Sequence, residues 1–155
     1  MKGGTVFPSV FGRLFSSGSS NPLAFGISLK TYRNHVLRDL RWLLNARCHP
    51  RAAAIHRYRH AASSTLNYGL QDRVGTLDSQ IEPEDVIEAV RTAIIRFEPR
   101  IVPASIQISI IGGPHTFDVD SFGLEIHGDL WAQPVNEPLT LRSQWSGVAG
   151  RWRLE

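Results

Sequence analysis

The strongest constraint on the fold is a change of hydrophobic period across Glu98-Pro99-Arg100. Before it, Pro83–Phe97 places Val86, Ile87, Val90, Ile94 and Phe97 at three-and-four spacing, one face of a helix. After it, Ala104–Ile110 alternates apolar and polar residues as a strand does. Pro99 lacks an N–H and pushes Glu98 out of the α region, so the helix must stop there. An extended corner projects Glu98 and Arg100 to the same side. The expectation is a fixed, charged handle between helix and sheet.

The periodicities on either side give a fold class. An apolar stripe of Tyr32, Val36, Leu37, Leu40, Leu43 and Leu44 predicts a helix over Thr31–Arg47, with Thr31 as N-cap, Trp42 at the margin and Pro50 closing the end. Ala52-Ala53-Ala54 favours a second helix over Arg51–Ser63. Ser63–Asp72 reads as a loop in which Asn67 and Gly69 allow sharp turns. The C-terminal third carries strand patterns at about 105–111, 122–131 and 139–145, broken by Gly112-Gly113-Pro114 and by Pro134 and Asn136. Helices first and strands later predict an α+β fold, with N-terminal helices packed on a small, mainly antiparallel C-terminal sheet.

Residues 1–30 read as a flexible arm, because Ser16–Pro22 has a linker composition. Inside it, Phe7–Phe15 is a short apolar docking segment; residues 31–155 then form one domain. The 155-residue chain is long enough for one real core. No apolar run reaches membrane-spanning length, and no signal-peptide pattern opens the chain. One cysteine, Cys48, excludes an internal disulfide and fits the cytoplasm.

Charge is polarised. Residues 1–69 hold ten Lys/Arg and one acid, Asp39, for +9; residues 70–155 hold seven Arg and thirteen acids, for −6. Such asymmetry marks a partner surface or a nucleic-acid surface, or two halves that neutralise each other within the fold.

No catalytic or cofactor pattern stands out. The acids of the second half supply carboxylates, but no spacing isolates an acid/base pair; Glu84, Asp85 and Glu88 suit a helix N-terminal turn. Cys48 and His49 are sequence neighbours and do not face each other on a helix. His56 and His60 have metal-ligand spacing but lack a third ligand and lie among Arg57 and Arg59, so no metal site is assigned. Arg51, Arg57, Tyr58, Arg59 and His60 form a basic patch without a nucleic-acid module. Leu139-Thr140-Leu141-Arg142-Ser143-Gln144-Trp145 is a β-prone stretch near the chain end, the candidate open edge; alternatively it is internal or covered by Arg151-Trp152-Arg153.

Three separated segments carry a family resemblance: Val36-Leu37-Arg38-Asp39-Leu40-Arg41-Trp42-Leu43-Leu44-Asn45-Ala46-Arg47, Ser64-Thr65-Leu66-Asn67-Tyr68-Gly69-Leu70 and Phe97-Glu98-Pro99-Arg100-Ile101. In that order and spacing the chain resembles TssE, the type VI secretion baseplate family related to a wedge protein of contractile phages and long labelled lysozyme-like. The resemblance spans roughly residues 7–150. It departs at Ala46, where a small hydroxyl residue is frequent, and at Gln71, where proline is frequent.

The resemblance implies a non-enzymatic structural subunit without cofactors. It would sit at the cytoplasmic face of the inner membrane, among TssF, TssG and TssK. It would initiate the sheath of TssB and TssC. It implies that Glu98, Pro99 and Arg100 bind the wedge, and it makes Leu139, Thr140, Leu141, Arg142 and Ser143 the candidate sheath-contacting edge. The alternatives from other classes are a peptidoglycan-directed glycoside hydrolase and a basic nucleic-acid-binding module.

Overall fold

The computed structural model describes residues 27–48, 55, 57–62, 64–70, 82–112, 118, 121–132 and 136–154. The expected arm up to residue 26, the Arg51–Ala54 segment and His56 lie outside the described residues.

Helix α1 spans Leu29–Asn45. It starts earlier than Thr31, because Ser28 is the cap: its hydroxyl accepts the Thr31 N–H at 3.2 Å. It ends before Arg47, where Ala46 turns extended and Arg47 forms a parallel bridge with Leu70. Within the expected second helix, the described residues include a four-residue turn, α2, Arg59–Ala62. A 3-10 turn, Thr65–Asn67, follows. Asn67 does not need positive φ; Gly69 does, at +108°. Helix α3 spans Pro83–Phe97, with Pro83 in its first turn and Glu84 and Asp85 beside it, where the helix dipole favours acids.

A second 3-10 turn, Pro103–Ser105, delays β1 to Gln107–Ile110. Then come β2, Ser121–Leu130, β3, Glu137–Ser146, and β4, Arg151–Leu154. The sheet order is β1-β2-β3-β4, every pair antiparallel. The architecture is α+β, helices first and a four-stranded antiparallel sheet after them. Strand β4 was not expected from the sequence. It is only four residues long and reads as a tail, yet it pairs with Ser143–Ser146.

One face of the sheet packs on the helices. Phe122, Leu124, Ile126 and Leu130 of β2 and Leu139, Leu141 and Trp145 of β3 are buried with Val36, Leu40 and Leu43 of α1 and Val90 and Ile94 of α3. Each such large side chain contributes about 1.5–3 kcal/mol by leaving water. The stripes read from the sequence are thus the faces that meet. Among the described residues, no helix is long and apolar enough to cross a membrane.

Candidate interaction site

Glu98 caps the end of α3, its N–H donating to Ile94 O at 2.8 Å. Pro99 and Arg100 form a tight turn closed by Ile101 N–H donating to Glu98 O at 3.1 Å. The turn folds the two charges together instead of projecting them outward. Arg100 grips Glu98 with a two-pronged fork: Nε donates to Oε1 at 2.6 Å and Nη2 to Oε2 at 2.5 Å. The Arg100 N–H adds 3.3 Å to Oε1. Nη2 also donates to Asp39 Oδ2 of α1 at 2.6 Å. Asp39 Oδ1 in turn accepts from Arg38 Nε at 2.9 Å, and the Arg38 guanidinium lies 4.9 Å from the centre of the Trp42 ring.

The expectation of a projecting handle is therefore corrected at Glu98, which is 3% exposed. A carboxylate this buried needs a cation, and a cation this close needs its acids. Burial pulls the Arg100 guanidinium toward losing its proton, but the hydrogen bonds and charges of Glu98 and Asp39 outweigh burial and hold it far above its usual range. Pro99 is exposed, and Arg100 is partly so. These two form the outward surface of the corner.

The surrounding groups feel the cluster. Tyr32 and Tyr68 have phenol pKa values raised first by burial; Glu98 adds to both, Asp39 adds at Tyr68, and Arg100 opposes at Tyr32. The Tyr32 hydroxyl donates to Trp131 O at 3.1 Å, while Trp131 N–H donates to Arg100 O at 2.7 Å. That leaves the Trp131 ring 56% exposed beside the corner. The Tyr68 ring packs edge-on to Phe97, with 5.2 Å between centroids. Beside it, Leu70 N–H donates to Ala46 O at 2.9 Å and Cys48 N–H to Leu70 O at 3.0 Å, strapping the loop to the end of α1. The close approach requires Gly69: an added Cβ would stand 2.3 Å from Ala46 O.

The Leu-Arg-Asp-Leu helix, the Asn-Tyr-Gly loop and the Glu-Pro-Arg corner thus meet at one place. Sequence reading missed Asp39 and Trp131 as members of it. Asp39 carried a signal, since it is the lone acid among residues 1–69. Trp131 carried none, because it joins through backbone hydrogen bonds.

The second set of candidate residues, Leu139–Ser143, lies in β3. This strand is third in the sheet, and β2 pairs with its whole length. On the other flank β4 pairs with Ser143–Ser146, so Ser143, Gln144 and Trp145 of the expected open edge are covered. Opposite Glu137–Arg142, no strand is paired on that flank among the described residues. The bonds Ile111 N–H to Gly123 O and Trp131 N–H to Arg100 O fix the alternation of the sheet. It turns the main-chain groups of Leu139, Leu141 and Ser143 toward β2 and those of Thr140 and Arg142 toward the open flank. Pro138 falls in the same outward set, where its missing N–H costs no ladder bond.

The two outer strands, β1 and β4, are partly guarded. Arg91 Nη1 donates to Ile106 O at 2.7 Å, just before β1. Asn45 takes both main-chain groups of Trp152 in β4: its Oδ1 accepts the Trp152 N–H at 2.9 Å and its Nδ2 donates to Trp152 O at 3.2 Å.

Among the described residues, the other candidate groups are not drawn into a further cluster. Glu84, Asp85 and Glu88 occupy the first turns of α3. Cys48, the one cysteine of the chain, is buried. Among the described residues there is no cluster of His, Cys, Asp or Glu able to hold a metal ion. Of the basic patch, Arg57 and Tyr58 are exposed.

The family model described as "Baseplate wedge protein gp25" matches residues 30–135, from the start of α1 to just before β3. Neither a curated protein nor a solved structure matches the chain. The matched region contains the whole Asp39–Arg100–Glu98 cluster, and by it the chain belongs to the baseplate wedge protein gp25 family, a family of structural baseplate components.

Proposed function

We propose that this structural baseplate component acts as the TssE-type subunit of a type VI secretion or related contractile injection system, linking wedge to sheath. The observation that supports this best is the ion cluster of Asp39, Arg100 and Glu98, which fixes an exposed proline corner on the matched region. In this reading Glu98 and Asp39 hold the corner from inside. Pro99, the exposed side of Arg100 and the neighbouring Trp131 meet the wedge subunits TssF and TssG, with TssK beside them. The uncovered flank of β3, over Leu139–Arg142, receives a strand from the sheath proteins TssB and TssC, because strand addition supplies main-chain hydrogen bonds to an incoming chain. The segment before α1 acts as an arm whose apolar part docks on a neighbour, and the rest of the chain as the domain. The subunit works at the cytoplasmic face of the inner membrane and catalyses nothing.

The test is co-purification with TssF and TssG alongside thermal melting. Pro99→Ala and Trp131→Ala are expected to fold normally and lose partner binding. Full retention of both partners by both variants would sink the corner as a docking surface.

A further inference from the structure

A groove of about 660 Å³ runs between the C-terminal turns of α1 and strand β4, and the corner reading does not use it. Arg41 comes to it from α1 and Arg151 and Arg153 from β4. All three arginines are exposed, and among the described residues none forms an ion pair and no acid lines the groove. Trp42, 53% exposed and with Arg38 stacked against it, lines the same groove. Three exposed arginines and an exposed aromatic ring thus line one groove without a charged partner among the described residues. Free arginines gain most from carboxylates, which they bind with two parallel hydrogen bonds.

We propose that this groove binds an extended acidic segment of a partner protein. Carboxylates would be gripped by Arg41, Arg151 and Arg153, and an apolar side chain would lie on Trp42. Peptide is favoured over nucleic acid by what forms the edge of the groove. Asn45 closes the main-chain groups of Trp152, but Leu154, two residues on, turns its own N–H and C=O to the same side. A strand edge beside arginines reads an extended backbone with acidic side chains. The groove is also short. On the neighbouring strand β3, Arg142 is already held by Glu125 of β2 at 2.8 Å, and that carboxylate would repel a phosphate chain running on.

The test uses the full chain with a fluorescein-labelled peptide alternating Glu and Leu, its Lys/Leu counterpart, and a single-stranded oligonucleotide. Fluorescence anisotropy is expected to show saturable binding of the Glu/Leu peptide alone. The double variant R41E/R153E should weaken it by roughly tenfold or more, the loss of at least one charge-assisted contact. R33E, two turns earlier on α1, should leave binding unchanged. Peptide should alter the tryptophan emission of the native chain, and the change should be clearly smaller in W42F, where Trp152 alone reports from the groove. Should R153E disturb β4 in melting curves, R41E alone, on an exposed helix position, decides. Absence of saturable binding, binding unaffected by charge reversal at Arg41, or tighter binding of the oligonucleotide would each overturn the proposal. None of these outcomes bears on the corner, which is read with different partners.

Discussion

Asp39 and Arg100, 61 residues apart in the chain, are joined by a 2.6 Å hydrogen bond that fastens the middle of α1 to the turn after α3. Removing the cation leaves two acids facing each other, one of them buried. Arg100→Ala is therefore expected to cost about 3–5 kcal/mol of stability, the usual penalty for orphaning a buried charge. Arg100→Lys should recover only part of it, since an ammonium cannot reproduce the fork. Urea denaturation reads both. A loss below about 1 kcal/mol for the alanine variant, the level of an exposed pair, would mean that the cluster does not hold the corner.

Gly69 carries a different dependence. At φ +108° and with Ala46 O in the way, no side chain fits without moving the loop off α1. Gly69→Ala should destabilise by about 1–3 kcal/mol or more and release the Leu70 amide to exchange. Unchanged protection of that amide would show that the strap does not depend on the glycine.

The outward and inward positions of β3 separate docking from folding. Thr140→Pro removes an N–H from the open flank and should give a folded chain that binds TssF and TssG but does not start a sheath. Ser143→Pro removes a bond to β2 in the sheet interior and should fail to fold. A folded Thr140→Pro chain on which sheaths extend normally would refute strand addition at this flank.

His35 supplies a pH dependence. Burial lowers its pKa below the usual 6.5; Arg38 and Arg100 push the same way, and Asp39 opposes them. The unfolded state then binds the proton more readily than the folded one. The contribution of neutral His35 to stability is complete above 6.5 and is lost as pH falls below it. Melting temperature should drop on acidification from about pH 7 to about 5.5, and less steeply in His35→Gln. Parallel curves for the two proteins would assign the drop to other groups.

The faces of the core were legible because burial imposes a period. The stripe on α1, the stripe on α3 and the alternation in β2 and β3 appear in the sequence as they pack. The ends were less legible. Ser28 rather than Thr31 caps α1, a choice made by which hydroxyl reaches which N–H. Arg151-Trp152-Arg153 reads as a tail able to cover the edge and not as strand β4, because two arginines alternating with Trp152 and Leu154 make a strand only where β3 offers a partner. At the corner, Pro99 announced the turn. The inward fold of Glu98 depended on Arg100 and on Asp39, a residue from another helix that no local pattern connects to it.

Among the bonds that hold helix α1, one joins Asp39 to Arg100 and another joins Asn45 to Trp152. The two lie about 9 Å apart along the axis. A rod pinned twice cannot pivot. Load applied at the proline turn passes along this strut into the outer strand of the sheet without a hinge to absorb it. Whatever grasps the molecule at its two ends would meet them at a constant distance and bearing, as with two sockets bored in a single bracket.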